Sequence, residues 1–142
     1  MEDQYNLQRY ISAQGESIDG VIKELRRGEK RGHWMWYVFP QVKGLGHSST
    51  SEYYAIQSVA EAVAYLQHPI LGLRLIACTD AVKEHQNLTA EKIFGYPDYL
   101  KFHSSMTLFE QVAENGSSFS DAINKFFGGE PDMRTISILE SL

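Results

Sequence analysis

The chain has 142 residues, 43% hydrophobic and 12% aromatic, and 18 acidic against 13 basic side chains give a formal charge of −5. That composition is rich enough in apolar residues for a packed core and unlike that of a disordered chain. The acidic balance excludes non-specific nucleic-acid binding, which needs a basic surface to displace counterions from phosphates, yet it leaves room for a local basic pocket.

The N-terminal "MEDQYNLQRY" has neither the basic nor the apolar region of a secretory signal, and no apolar run approaches the roughly 18 residues of a membrane span. A soluble, cytoplasmic protein is expected, with no membrane association. Leu7, Tyr10 and Ile11 then follow the spacing of a helix face, and Ile18, Val21, Ile22 and Leu25 extend it to a stop at Gly28. The aromatic run "WMWYVF" at 34–39 is β-prone and closed by Pro40, but no partner strand is evident, so a buried helical turn is expected. "STSE" at 49–52 and "SVAE" at 58–61 both read as capping boxes, with a serine cap and an acid three residues later. His68–Pro69 reads as a break before Leu71, Leu75, Cys78 and Val82 repeat the helical step. Thr89 and Asp98 are candidate caps for the next two helices, the second carrying Phe102, Met106, Phe109 and Ala113. Stripes at Phe119–Phe126 and Ile136–Leu139 complete the chain, with stops at Gly95, Gly116 and Gly128–Gly129. The sum is a mainly α, single multihelical domain over residues 1–142, of about seven or eight short helices with little or no sheet. No repeat, linker or low-complexity tract interrupts it.

Cys78 is the lone cysteine. It allows no intrachain disulfide, fits a reducing compartment, and reads as a packing residue within an apolar helix. The five histidines show no HExxH or His-x3-His spacing, so no metal site and no cofactor is expected.

Two stretches carry the chemistry. In "HWMWYVFPQVKGLGHSSTSEYY", Gly44 and Gly46 permit close backbone approach, and His47, Ser48, Ser49 and Thr50 add donors at a helix start. Trp34 and Trp36 offer stacking faces, and His33 and Gln41 complete a candidate pocket lining. The competing reading makes the aromatics core and His33 a packing residue, and Gly-Leu-Gly alone is neither a Walker loop nor a dinucleotide fingerprint. In "YPDYLKFHSSMTLF", Asp98 and Lys101 are one helical turn apart, with Ser104 and Ser105 beside them. A Lys101–Ser105 base and nucleophile pair is one reading of that spacing. A surface ion pair with serines bonded back to helix carbonyls is the other. Arg74, one turn into its helix, can reach either a phosphate or a neighbouring carboxylate.

"HWMWYVFPQVKGLGHSS", "YYAIQSVAEAVAYLQHPILGLRL", "DYLKFHSSMTLF" and "FFGGEPDMRT" together resemble the bacterial family catalogued as domain of unknown function 1810, over about residues 5 to 140. Its members are often labelled calpastatin-like, although calpastatin works through long disordered repeats and this composition is that of a globule. The resemblance implies a small, predominantly helical fold and no established activity. "SSTSEYYAIQSVAEAVAYL" is also similar, more distantly, to a helix of the NADAR superfamily of NAD and ADP-ribose metabolism, some members of which cleave N-glycosidic bonds. That similarity implies Glu52 as the acidic residue and Tyr53 or Tyr54 as the aromatic after it, with Tyr53 in place of a histidine. Two functions remain open at this point. One is a pocket for a nucleotide-like or ADP-ribose-like molecule, in which Glu52 or Asp98 stabilises an oxocarbenium-like ribose and Arg74 or Lys101 neutralises charge. The other is a non-enzymatic interaction or inhibitor module docking through "GGEPDMRTISILESL". Oligomeric state is not legible in either.

Overall fold

The computed structural model describes residues 3–142, and among these the apolar stripes become ten α-helical segments. They are α1 (Gln8–Gln14), α2 (Ile18–Arg27), α3 (Met35–Val38), α4 (Ser49–Tyr54), α5 (Val59–Gln67), α6 (Leu71–Lys83), α7 (Ala90–Phe94), α8 (Asp98–Val112), α9 (Ser118–Phe127) and α10 (Met133–Ser141). The mainly helical reading holds. The surplus over seven or eight comes from short segments such as α3 and α7, of four and five residues, too short to show a periodic stripe. The 34–39 run is the expected buried helical turn, with Met35 and Val38 inside. No strand forms among the described residues; the one sheet-like feature is a parallel bridge between Val42 and Ile56.

Helix α8 is the hub. It packs on α3, α5, α7, α9 and α10, while α6 packs on α2, α5 and α9. A hub buried on several sides cannot be amphipathic, and α8 accordingly buries Phe102, Met106, Leu108 and Phe109 around much of its circumference. Phe102 stacks on Phe94 with ring centroids 4.6 Å apart and meets Phe39 edge-on at 5.1 Å, locking α7 and the end of α3 onto α8. Gly72 lets α6 approach the end of α5, because a Cβ there would lie 2.0 Å from the Leu66 carbonyl oxygen. Cys78 is fully buried, and desolvation pushes its thiol up to about 12, so it packs as a hydrocarbon and is not a nucleophile at neutral pH.

The caps divide between expected and shifted. Ser58 accepts from the Glu61 amide at 3.0 Å and Thr89 from the Lys92 amide at 3.1 Å, as expected. At α4 the cap is Ser48 rather than Ser49, because Ser48 holds the extended backbone a cap requires and its hydroxyl accepts from Ser51 N. Asp98 caps nothing. Its position is taken by Pro97, and its carboxylate is held by two lysines instead.

One buried ion pair fastens the N-terminal helix to the rest. Arg9 Nη2 lies 2.8 Å from Glu61 Oε2, with side-chain exposures of 7% and 3%. The same guanidinium donates to the carbonyls of Tyr5, Asn6, Tyr53 and Ala55 and to the Tyr10 hydroxyl. The other oxygen of Glu61 accepts the Gln57 amide at 2.9 Å. Every polar atom of the pair is therefore occupied, which a desolvated pair requires if it is not to destabilise the fold. Replacing Glu61 by Gln leaves a buried guanidinium without its counter-charge, and the expected loss is about 3–5 kcal/mol in urea unfolding. A loss under about 1 kcal/mol, the range of exposed pairs, would remove Arg9–Glu61 from this role.

Candidate functional site

The segment after α3 is looped out and pinned at both ends. The Ile56 amide donates to Gln41 O at 2.8 Å and the Lys43 amide to Ile56 O at 2.9 Å, so residues 44–54 emerge from a closed neck. Gly44 turns with φ +94°, a conformation that disfavours a side chain. Gly46 is needed for a different reason, since a Cβ there would lie 2.5 Å from Ser51 Oγ. The loop therefore folds back on the first turn of α4, and two adjoining cavities open along it.

The smaller cavity, about 360 Å³, is lined by Lys43, Gly44, Glu52, Tyr54 and Gln57 among others. The larger, about 610 Å³, lies between the loop and α8 and is closed by Tyr96, Leu100, Lys101, Ser104, Asp132 and Arg134. Trp36, Gln41, Gly46, His47 and Ser51 line both, so the two are halves of one cleft. Both volumes fall in the range of small-molecule sites.

Within the cleft the side chains are held by a few specific contacts. Ser104 donates to Gln41 Oε1 at 2.7 Å, tying α8 to the loop neck. The Lys101 ammonium stands 5.0 Å from the centroid of the Trp36 ring and 3.4 Å from Asp98 Oδ1. His103 stacks on Phe127 at 3.9 Å, and its Nε2 lies 2.7 Å from the Glu130 carbonyl oxygen. Because a carbonyl only accepts, that nitrogen carries the proton, and a neutral ring is left with Nδ1 as its acceptor. Asp132 is spent locally: it caps α10 through the Thr135 amide and hydroxyl, while its own amide donates to Thr107 at 2.9 Å.

Of the sequence candidates, Trp36, Gln41, Gly44, Gly46, His47, Ser48, Glu52, Lys101 and Ser104 line the cleft. The others lie elsewhere. Trp34 is 3% exposed and belongs to the core, with its indole N–H 3.2 Å from Glu24 Oε1. His33 and Ser49 are exposed and line neither cavity. Tyr53 is exposed and lines a shallower depression with Arg9 and Glu61. Arg74 donates to Gln14 at 3.3 Å. Ser105 is fully buried with no hydrogen-bond partner and no bond to Lys101, so a base and nucleophile pair is not assembled there. Asp98 sits behind the wall, with Oδ2 2.7 Å from Lys30 and Oδ1 facing Lys101. Sequence reasoning singled out none of Ser51, Tyr96, His103 and Arg134. The first three lie inside the two quoted stretches, and Arg134 lies in the segment that the second reading makes a docking tail. Among the described residues no three His, Cys, Asp or Glu side chains gather as metal ligands, and no helix is long and apolar enough to cross a membrane.

The family model described as Protein of unknown function (DUF1810) matches residues 4–139. The chain belongs to the DUF1810 family. A solved structure, that of the conserved hypothetical protein Rv1873 from Mycobacterium tuberculosis, is 47% identical with a TM-score of 0.95, over 97% of this chain and 99% of its own. No curated protein is significantly similar. The stretch 48–66 likened to a single NADAR helix is two helices in this DUF1810 fold, α4 and α5, parted by the bridge residue Ile56.

The Glu24 carboxylate that holds Trp34 titrates with a predictable sign. Burial pushes it up, but the amides of Arg31 and Gly32 and the Trp34 indole outweigh burial and hold it below its ordinary value of 4.5. A depressed carboxylate stabilises the fold above the unfolded pKa, and that contribution disappears as pH falls through the folded one. Glu24→Gln should therefore be less stable than the parent near neutrality, and the gap should shrink on acidification to about pH 3 in urea titrations. A gap independent of pH would contradict the assignment.

Proposed function

We propose that the cleft binds an anionic small molecule with a planar ring, of the nucleotide or ADP-ribose kind. The observation that carries this reading is Trp36, a half-buried indole in the wall common to both cavities with a lysine ammonium over its face. A half-exposed indole beside a cation provides a stacking surface and a charge partner in one place. Tyr96 and Leu100, both exposed at the rim of the larger cavity, add apolar contact for a ring. Lys101 and Arg134 supply positive charge, and Arg134 makes no ion pair among the described residues.

N-glycosidic hydrolysis is the second reading, favoured by Glu52. It lines the smaller cavity and its side chain makes no hydrogen bond or ion pair among the described residues, so its carboxylate is free to orient a water. In that reaction the water adds to the anomeric carbon and gives up a proton by way of Glu52. The C–N bond breaks, and the departing base takes the electron pair. Asp98, shared between two lysines, orients Lys101 and does not reach the substrate.

Calorimetric titration of ADP-ribose, NAD and AMP tests binding. Trp36→Leu should weaken the tightest of them by about 1–3 kcal/mol, the usual worth of a stacked base. The absence of heat from all three, with protein at roughly a hundred micromolar, would overturn the reading, since such a site should reach micromolar affinity. Chromatographic release of the base, present in the parent and lost in Glu52→Gln at saturating ligand, would establish the hydrolysis. Binding without release restricts the cleft to recognition.

A further inference from the structure

We infer that the cleft is polar along its length: the larger cavity takes the phosphate-bearing end of the ligand and the smaller takes a hydroxylated, sugar-like end. The inference rests on the ligand-site reading above and adds the ligand's class and direction. Three observations carry it.

First, charge divides unevenly between the halves. The smaller cavity has Lys43 against Glu52, one cation and one anion. The larger has Lys101 and Arg134 against Asp132, and the Asp132 carboxylate is already engaged by Thr135. Asp98 is shared between Lys30 at 2.7 Å and Lys101 at 3.4 Å, so three cations, Lys30, Lys101 and Arg134, stand against two carboxylates, Asp98 and Asp132. The cationic excess therefore lies in the larger half, where a phosphate is favoured.

Second, the hydrogen-bonding characters differ. Glu52 is an acceptor only, Gln57 is both acceptor and donor, and both line only the smaller of the two halves. A carboxylate acceptor repels a phosphate and suits a ligand rich in hydroxyl donors. Third, the halves adjoin across Trp36, Gln41, Gly46, His47 and Ser51, which line both, so a ligand lying along these residues meets both linings. A phosphate ester of a pentose, alone or as the end of a longer nucleotide, meets all three conditions. This orientation puts the sugar beside the one cleft carboxylate not committed to a cap or ion pair.

The test is an NMR titration of the whole chain with two probes, inorganic phosphate and ribose 5-phosphate, taken to on the order of tens of millimolar to register weak binding. Ribose 5-phosphate should bind more tightly than phosphate and shift amides on both sides of Trp36. Arg134→Met should weaken both probes, by roughly tenfold for a lost charged hydrogen bond. Glu52→Gln should weaken ribose 5-phosphate by a similar factor and leave phosphate unchanged or slightly tighter. Both residues are exposed, and unchanged amide spectra elsewhere confirm that the variants are folded. If Glu52→Gln affects both probes alike or neither, the direction assigned here is wrong while the ligand site stands. If neither probe, nor any of the nucleotides above, perturbs the cleft, the site itself falls.

Discussion

The Arg9–Glu61 pair is the contact on which the cleft depends. Arg9 comes from the first helix, Glu61 from the first turn of α5, and between them the guanidinium holds the carbonyls of Tyr53 and Ala55. Those two residues begin the return limb of the loop, immediately before Ile56 closes the neck with Gln41 and Lys43. A long loop has high conformational entropy, and its walls are useful for binding only if something offsets that cost. Here a desolvated ion pair with its hydrogen bonds made grips the loop through two side chains that line neither half of the cleft. Tyr10, whose hydroxyl donates to Tyr54 O at 2.7 Å, adds a second grip from the same helix.

The two tryptophans, two residues apart, have opposite duties for a geometric reason. Positions i and i+2 on a helical turn point to opposite faces. Trp34 turns inward onto Glu24, with the Lys30 ammonium 5.1 Å from its ring; Trp36 turns outward under Lys101. Asp98 joins the two arrangements, one oxygen toward each lysine. The buried Lys30 side, anchored in the core, fixes the carboxylate that in turn holds Lys101 at the wall. A cation held in advance loses less entropy on meeting an anion than a free surface lysine does.

Helix α10 completes the cleft from the far end of the chain. Pro131 precedes its cap, Asp132 is bound at both amide and carboxylate, and Arg134, the second residue of the helix, is thereby delivered to the cavity that Lys101 lines. The segment that reads in sequence as a docking tail is, in three dimensions, packed on α8 and contributes a wall.

Local chemistry made much of this chain legible. Apolar periodicity marked the longer helices, Ser58 and Thr89 announced helix starts, and the density of aromatics, glycines and hydroxyls between 36 and 52 pointed to the loop that does border the cleft. Such features depend on residues within a few positions of one another, so sequence spacing carries them. The face on which a residue lands and the partner it meets are set by distant segments. Trp34 was drawn to Glu24, Asp98 to Lys30, Arg74 to Gln14, and Arg134 came to a cavity that the 36–51 loop and the start of α8 also line. The sequence alone settled that the chain is helical and where its chemistry is concentrated. Only packing decided which of those groups face the cleft, because burial and ion pairing are energies of contact between parts of the chain that sequence order does not bring together.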